Sequence, residues 1–217
     1  MASPDINDKK SRKRKDYVFH LEYRTRWADN DMYGHLNNSI YGILFDSIIN
    51  TYLILHCGLN PSYNSPFTPS SPPAASTSAA SISPPPAAMM IGSHNNPTNQ
   101  VGIVVSSYCD YFASVSFPDM LDLGLRVTRL GFSSVTYEVG VFKRGEENVK
   151  ALGGFTHVFV GKDGTRLNTT TTSATTNSNN NNNRKTDAGS GMEEGLRAGL
   201  ERLMMKRSDD NGGSSKL

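Results

Sequence analysis

Residues 23–41 have the sequence YRTRWADNDMYGHLNNSIY, and the rest of the chain is organised around them. This stretch begins as an extended run, passes through a polar turn around Gly34, and opens into an apolar segment that continues to about Cys57. The turn contains ionisable side chains, among them Asp31 and His35. A strand, a turn and a long helix in this order would place those side chains beside the first turn of the helix.

The apolar segment predicts a helix. Asn37 and Asn38 are good N-cap residues, and Gly58 supplies a stop. The apolar residues between 40 and 55 occupy the helical stripe and most of the remaining circumference, so we predict a helix that is buried nearly all round. Unpaired N–H groups and the positive end of the dipole converge at its N-terminus, which is therefore suited to stabilise negative charge.

Composition narrows the class of protein. The net charge of +2 and the pI near 8.5 are too close to neutral to indicate a nucleic-acid partner. Cys57 and Cys109 lie in apolar segments without CxxC spacing, which favours reduced thiols over a disulfide framework or a metal site. No long apolar run and no apolar N-terminal signal are present, so we expect no membrane span. We expect an intracellular, cytoplasmic protein, with mitochondrial and nuclear locations left open.

Three segments differ in composition from the rest. Residues 1–16 contain the basic cluster KKSRKRK at residues 9–15, which we interpret as a disordered, solvated arm; a nuclear-localisation or anionic-surface patch is the alternative. Residues 60–100 hold nine of the eleven prolines, and residues 167–190 are rich in Thr and Asn. Both have too little apolar surface to offset the entropy of ordering, so we predict two disordered low-complexity insertions.

The remaining segments predict strands and one late helix. A strand is expected within residues 17–26. Four more are rich in β-branched and aromatic residues and are joined by short connections, which indicates an antiparallel meander; they cover residues 101–113, 121–130, 135–143 and 149–160. Residues 191–207 show a helical stripe that we expect to pack on the domain edge or on a neighbouring subunit. The prediction is an α+β domain over residues 17–166.

The segment WADNDMYGHLNN, residues 27–38, resembles the signature of hotdog-fold thioesterases of the 4-hydroxybenzoyl-CoA thioesterase type. The resemblance covers about residues 17–59 and 100–162. It implies a hotdog fold, an antiparallel sheet wrapped around a long central helix. It also implies a homodimer or homotetramer with active sites at the dimer interface, no metal and no bound cofactor, and cleavage of an acyl thioester of CoA or of an acyl carrier protein.

The resemblance also implies site residues. It places the catalytic carboxylate at Asp31 and the backbone N–H that holds the thioester carbonyl at Asn38. His35 is a further catalytic candidate, either binding the carbonyl or positioning the carboxylate, with an interface histidine as the alternative. The substrate-binding candidates are Tyr33, Asn37 and Tyr41. In a related bacterial branch a catalytic His stands at the position of Asn38, and in the plant branch an Asn stands at the position of Tyr33.

Thioester hydrolysis needs an oxygen nucleophile and donors at the carbonyl oxygen. Asp31 could attack directly to give a mixed anhydride, or it could draw a proton from water, and the sequence leaves both routes open. The amide of Asn38 would be the oxyanion donor. Basic residues beyond the helix, of which Arg126, Arg129, Lys143 and Arg144 are examples, are candidate contacts for CoA phosphates.

Structural roles for single residues and two other classes of function are alternatives to these assignments. Asp31 could be an ordinary turn residue that accepts a neighbouring amide. We expect Asp29 to be a structural partner of Arg24 or Arg26. A second function class is a non-catalytic hotdog that binds acyl chains or serves as an assembly module. A third is nuclear nucleic-acid binding through residues 9–15, which would be sensitive to salt.

Overall fold

The computed structural model describes residues 5–59, 98–167 and 191–204. These residues form the predicted α+β arrangement of an antiparallel sheet with a long helix. In chain order the elements are α1 (Ile6–Lys10), β1 (Phe19–Arg24), α2 (Asn38–Cys57), β2 (Gln100–Tyr111), β3 (Met120–Leu130), β4 (Ser134–Lys143), β5 (Val149–Gly161) and α3 (Glu194–Glu201). Nearly all of the two predicted insertions, residues 60–97 and 168–190, lies outside the described residues.

The sheet has five strands in the order β1-β3-β4-β5-β2, and all neighbours are antiparallel. The meander prediction is therefore correct for β3, β4 and β5 but wrong for β2, which pairs with β5 at the far edge. The reason lies in the connection 112–119. It crosses the end of the sheet beside the start of α2, where the carbonyl of Val115 accepts the N–H of Leu36 at 2.8 Å, instead of turning back as a hairpin.

Helix α2 has the predicted bounds. The side chain of Asn37 accepts the N–H of Ser39 at 3.0 Å, and Gly58 ends the helix in the left-handed conformation at φ 71°. One face packs on the sheet and forms the core with inward-facing residues of β3 and β4. The prediction of burial nearly all round is wrong for this chain: Ile43 is 52% exposed and Ile54 is 42% exposed. One sheet covers only one side of a helix.

By length and composition α2 is the one helix in the described ranges that could cross a membrane. The core helix of a folded domain meets the same criteria. Its side chains support that assignment, since Leu44, Ile48 and Ile49 are fully buried against the sheet.

Helix α3 packs on the domain itself, which decides between the two predicted locations. Its stripe residues Leu196 and Leu200 are buried in the same core as α2. The hydroxyl of Tyr52 donates to the carbonyl of Gly199 at 2.7 Å, and the N–H of Val127 donates to the carbonyl of Leu203 at 3.0 Å. The helix therefore closes the open end of the α2–sheet layer. Residues 205–207 of the predicted helix lie outside the described residues.

The predicted disorder of the basic arm is wrong for residues 5–16. This segment lies on the outer face of the sheet, the face turned away from α2. Lys9 lies 2.7 Å from Asp110, and Arg14 lies 3.3 Å from Asp122 and over the ring of Phe142. Acidic and aromatic side chains of the sheet neutralise and cover the cations, so an arm that looks solvated by composition is docked. This pairing within the chain weakens the nucleic-acid alternative.

Candidate active site

The loop that carries the motif is closed directly onto the start of α2. The N–H of Asp31 donates to the carbonyl of His35 at 2.7 Å, and the N–H of Asn37 donates to the carbonyl of Asp29 at 2.8 Å. Together with the bridge between Asn30 and Leu36, these bonds form a short antiparallel ladder. Gly34 takes φ 75°, a conformation that glycine adopts without steric cost, and so permits the tight turn. The ladder places the Asp31 loop next to the helix N-terminus.

Asp29 anchors the base of this loop. Its side chain is fully buried and accepts the Tyr23 hydroxyl at 2.8 Å, the Arg26 N–H at 2.7 Å and Arg26 Nη2 at 2.8 Å. Burial by itself would raise the pKa of Asp29, but the hydrogen bonds from Arg26 and Tyr23 outweigh it and the pKa is lowered. The prediction that Asp29 is a structural partner of an arginine is confirmed, and the partner is Arg26.

Asp31 is fixed through one oxygen. Its Oδ1 accepts the N–H of Tyr33 at 2.8 Å and the N–H of His35 at 3.1 Å, the arrangement of an Asx turn. Among the described residues no donor reaches Oδ2. The carboxylate is thus held in place by its own loop while its second oxygen remains free to meet a substrate or a water molecule.

The first turn of α2 provides an unused donor. Asn37 caps Ser39 and not Asn38, and none of the hydrogen bonds between described residues engages the N–H of Asn38. The carbonyl of Asn38 accepts the hydroxyl of Tyr111 at 3.5 Å. The ring of Tyr111 packs edge-on against Tyr41 with centroids 5.0 Å apart. Strand β2 therefore holds the helix N-terminus in position from the side.

The structure brings some predicted site residues together and separates others. The ladder joins the Asp31 loop to Asn37, and Asn38 follows as the first residue of α2. The backbone of His35 belongs to the same loop, while its side chain is exposed. Tyr33 is 75% exposed at the loop tip. Tyr41 lies in the hydrophobic core at 3% exposure, where burial raises the pKa of its hydroxyl. Substrate contact by these side chains stays a prediction.

Three of the basic residues that were candidates for CoA phosphates are engaged elsewhere. Arg126 lies 2.9 Å from Glu138 on the outer face of the sheet, and Lys143 lies 2.8 Å from Asp119. Arg144 pairs with two carboxylates, one of them Asp122 at 2.6 Å. These three cations are matched by acids of the chain, so their assignment to phosphates is not supported. Arg129 is exposed and has no ion pair with any described residue, so its assignment stays a prediction. In the described parts of the chain, no three His, Cys, Asp or Glu side chains group closely enough to hold a metal ion.

An aromatic pair that the sequence did not indicate lies at the base of the loop. Trp27 is 79% exposed and meets the edge of Phe117, with ring centroids 5.9 Å apart and planes at 84°. The N–H of Phe117 donates to Asn30 Oδ1 at 3.0 Å, which ties the pair to the Asp31 ladder. Large aromatic residues are normally expected in the core, and no sequence pattern would have shown that these two remain on the surface.

The comparisons with known proteins agree with this architecture. A sequence model of the thioesterase superfamily matches residues 86–150. The crystal structure of the PA5185 protein from Pseudomonas aeruginosa strain PAO1 is similar, with a TM-score of 0.58 and 31% identity over 89% of this chain and 96% of that chain. The architecture is the hotdog fold, as the resemblance implied. The chain belongs to the thioesterase superfamily.

A more distant structure shares the fold. The thioesterase superfamily structure from Jannaschia sp. CCS1 has a TM-score of 0.54 and 16% identity, over 87% of this chain and 86% of that chain. At that identity the likeness concerns the fold alone. No curated protein matches the sequence.

Proposed function

We propose that this protein is an acyl-CoA thioesterase, which uses water to convert an acyl-CoA into a carboxylic acid and free CoA. Membership of the thioesterase superfamily supports the reaction class. The observation that carries the proposal is the closure of the Asp31 loop onto the start of α2. In support of the proposal, Oδ2 of Asp31 and the N–H of Asn38 have no hydrogen-bond partner among the described residues, and we infer that the two face a common point.

Asp31 would act in one of two ways. As a nucleophile, its free oxygen attacks the thioester carbonyl and the C–S bond breaks, giving a mixed anhydride and a CoA thiolate that takes up a proton; water then hydrolyses the anhydride. As a general base, it accepts a proton from a water molecule that attacks the same carbon. Both routes create an oxyanion, which the N–H of Asn38 would stabilise by about 3–4 kcal/mol.

The other residues of the loop have supporting roles in this proposal. The backbone N–H groups of Tyr33 and His35 hold Oδ1 of Asp31 and so set the direction of Oδ2. The exposed side chains of Tyr33 and His35 would meet the substrate or the second subunit. Asn37 would act through its cap on Ser39, which fixes the first turn of α2.

The resemblance implies a homodimer or homotetramer, and we propose that two copies associate through β2. This edge strand exposes a run of apolar side chains, Ile103 at 51%, Val104 at 47% and Val105 at 58%. A bare apolar edge invites pairing with another strand, and β2 with β2 would give a self-complementary antiparallel contact. The exposed Ile43 of α2 provides further apolar surface for the same contact.

This assembly can be tested by changing the edge. Val105→Glu should shift the protein from dimer to monomer in analytical ultracentrifugation. Val18→Glu changes a similarly exposed valine, 46% exposed, beside the opposite edge strand and should leave the mass unchanged. A wild-type protein that sediments as a monomer at all concentrations would refute the assembly.

The catalytic assignment is tested by Asp31→Asn. The variant should fold and lose orders of magnitude in thiol release across a panel of acyl-CoA substrates. Asp163→Asn is the matched control, since Asp163 accepts the N–H of Thr165 at 2.9 Å in an Asx turn away from the site. A folded Asp31→Asn protein with wild-type rates on every accepted acyl-CoA would rule out this role.

The non-catalytic alternative keeps one specific observation in its favour. The two amide bonds to Oδ1 of Asp31 are those that a purely structural turn aspartate makes. It predicts that the wild-type protein binds acyl-CoA in calorimetry without releasing thiol. A parallel assay with an acyl carrier protein carrying the same acyl group separates the two possible carriers.

A further inference from the structure

Trp27 is the most exposed aromatic side chain among the described residues, at 79%, and its partner Phe117 is 38% exposed. The pair is not a loose surface feature. Trp27 opens a single 3-10 turn, Trp27–Asp29, whose last residue is the buried Asp29 held by Arg26. Phe117 is attached to the same loop through Asn30 Oδ1 at 3.0 Å. An apolar surface that is held rigidly beside a site suggests a binding function.

The proposed dimer contact does not account for this pair. Trp27 follows β1, and Phe117 leads into β3, which pairs with β1. Strand β2 is the opposite edge of the sheet, with β3, β4 and β5 in between. Neighbouring strands lie about 4.8 Å apart, so the two edges are separated by roughly 19 Å along the sheet. A second copy that pairs along β2 does not need to cover the aromatic pair.

We propose that Trp27 and Phe117 form a stacking platform for the adenine ring of CoA. This inference rests on the proposed function and deepens it, because an acyl carrier protein presents no adenine. Purine rings stack on exposed aromatic side chains without requiring a specific hydrogen-bond pattern. Trp27 and Asp31 are four positions apart in sequence, so their Cα atoms are at most about 14 Å apart. That span is within the reach of an extended pantetheine arm between the adenine and the thioester.

Charge near the platform is suited to the phosphates of CoA. The Arg26 side chain is 66% exposed, and it binds Asp29 through Nε and Nη2. Its Nη1 has no hydrogen-bond partner among the described residues. Arg24 is exposed as well, and no acidic side chain in the described ranges pairs with it. Two guanidinium groups thus precede the tryptophan at the end of β1 and offer donors that match phosphate oxygens.

The chain offers a direct probe of this platform, because Trp27 is its single tryptophan. Adenosine 3′,5′-bisphosphate, the nucleotide end of CoA without the pantetheine arm, should quench its fluorescence in a saturable way. Phe117→Ala should weaken that binding by about 5- to 150-fold, the range expected when one stacking side chain is lost. Unchanged emission on titration would overturn the proposal. So would a blue-shifted emission in the free protein that moves only on dissociation of the oligomer, since Trp27 would then be covered by a second copy.

Kinetics provides an independent readout. Acyl-CoA and the N-acetylcysteamine thioester of the same acid share the reacting group, but only the first carries adenine. Trp27→Ala should lower the ratio of their kcat/KM values about tenfold through KM for acyl-CoA, and Trp27→Phe should recover part of it. Ile6→Ala, on the outer face and 51% exposed, is the control that should leave the ratio at the wild-type value.

The outcomes separate this inference from the proposed function. If both thioesters are hydrolysed in an Asp31-dependent way and Trp27→Ala leaves their ratio unchanged, the platform is refuted while the enzyme assignment stands. If no thioester is hydrolysed, the proposed function falls, and the fluorescence titration still decides whether adenine nucleotide binds at Trp27.

Discussion

Replacing Arg126 by methionine should destabilise the domain, because it removes one partner of the buried carboxylate of Glu138. This carboxylate lies far from the proposed site. Glu138 is 2% exposed on the outer face of the sheet. Its Oε1 lies 2.9 Å from Arg126 Nη2 and 3.3 Å from Arg12 Nε, and it accepts the Tyr17 hydroxyl at 3.2 Å. Burial, followed by the charge of Glu138, raises the pKa of Tyr17, so this hydroxyl stays a donor over the whole working range of pH.

The magnitude follows from what remains after the substitution. Removing one partner of a buried ion pair costs about 3–5 kcal/mol, because the other charge is left in the interior. Arg126 is 15% exposed, and Arg12 and Tyr17 still reach the carboxylate, so we expect a loss of about 2–3 kcal/mol. For a chain of this size that corresponds to a decrease in Tm of roughly 4–12 °C.

A double-mutant cycle in urea, followed by far-UV circular dichroism, tests the reasoning. Glu138→Gln removes the buried charge that Arg126→Met would leave unpaired. The double variant should therefore lose less free energy of unfolding than the sum of the losses in the two single variants. Arg129→Met is the control on the same strand. Arg129 is exposed, has no ion pair with any described residue, and should change stability by at most about 0.5 kcal/mol. Additive single changes, or an Arg126→Met variant as stable as the control, would refute a buried uncompensated charge.

Three further predictions concern the core. Gly199→Ala would force a methyl group against Cys57 and should lower the free energy of unfolding by about 1–3 kcal/mol. The methyl group of Gly195→Ala, on the same helix, meets nothing, so this variant should raise the free energy of unfolding by up to about 1 kcal/mol. Thermal denaturation measures both changes. Burial lowers the pKa of His157, so the unfolded state binds a proton at this side chain more readily than the native state. The free energy of unfolding should therefore fall as the pH drops below about 6.5. His157→Phe should remove that part of the decline in Tm measured between pH 5 and 8. Burial raises the pKa of Cys57 to about 12 and that of Cys109 to about 11, so both thiols should react with iodoacetamide at neutral pH far more slowly in the native protein than in urea; equal rates would contradict their burial.

The local sequence pattern was sufficient to predict the helices and strands, but it was not sufficient to predict the order of the strands in the sheet. The bounds of α2 follow from Asn37 and Gly58, because capping is chemistry between residues close in sequence. Alternation of apolar residues likewise predicts each strand to within a few residues. Alternation does not specify which strand lies beside β2, because that depends on the path of the connection 112–119 around the helix N-terminus.

The local sequence of the basic arm does not show the partners of its cations either. Lys9 donates to Asp110, which lies 101 residues away in sequence, and Arg14 donates to the carbonyl of Lys143, 129 residues away. Composition within residues 1–16 indicates a solvated arm, since none of the acids that neutralise it is nearby in sequence. Only the fold brings them together.

The candidate site was predictable where the motif is contiguous. The spacing of Asp31, Asn37 and Asn38 predicts a polar loop that runs directly into a helix N-terminus, and the ladder joins the backbone of that loop to Asn37, while the catalytic roles stay predictions. The amide bonds to Oδ1 of Asp31 come from residues two and four positions later, and they match the turn interpretation that the sequence offered for this residue. The sequence does not indicate that Trp27 stays on the surface, because that depends on which neighbours the loop meets in three dimensions.

The prediction that α2 is buried nearly all round is wrong, but the apolar pattern behind it indicates a further contact surface. The apolar residues of α2 extend around more of the helix than one sheet can cover, so Ile43 and Ile54 are left exposed on the face opposite the core. Strand β2 shows the same excess at Val105, an apolar side chain on an unpaired edge. Several large apolar side chains that lie exposed on one helix face and one sheet edge are typical of a contact surface. The surplus therefore supports the proposed β2 dimer, in which a second copy covers what the single chain leaves open.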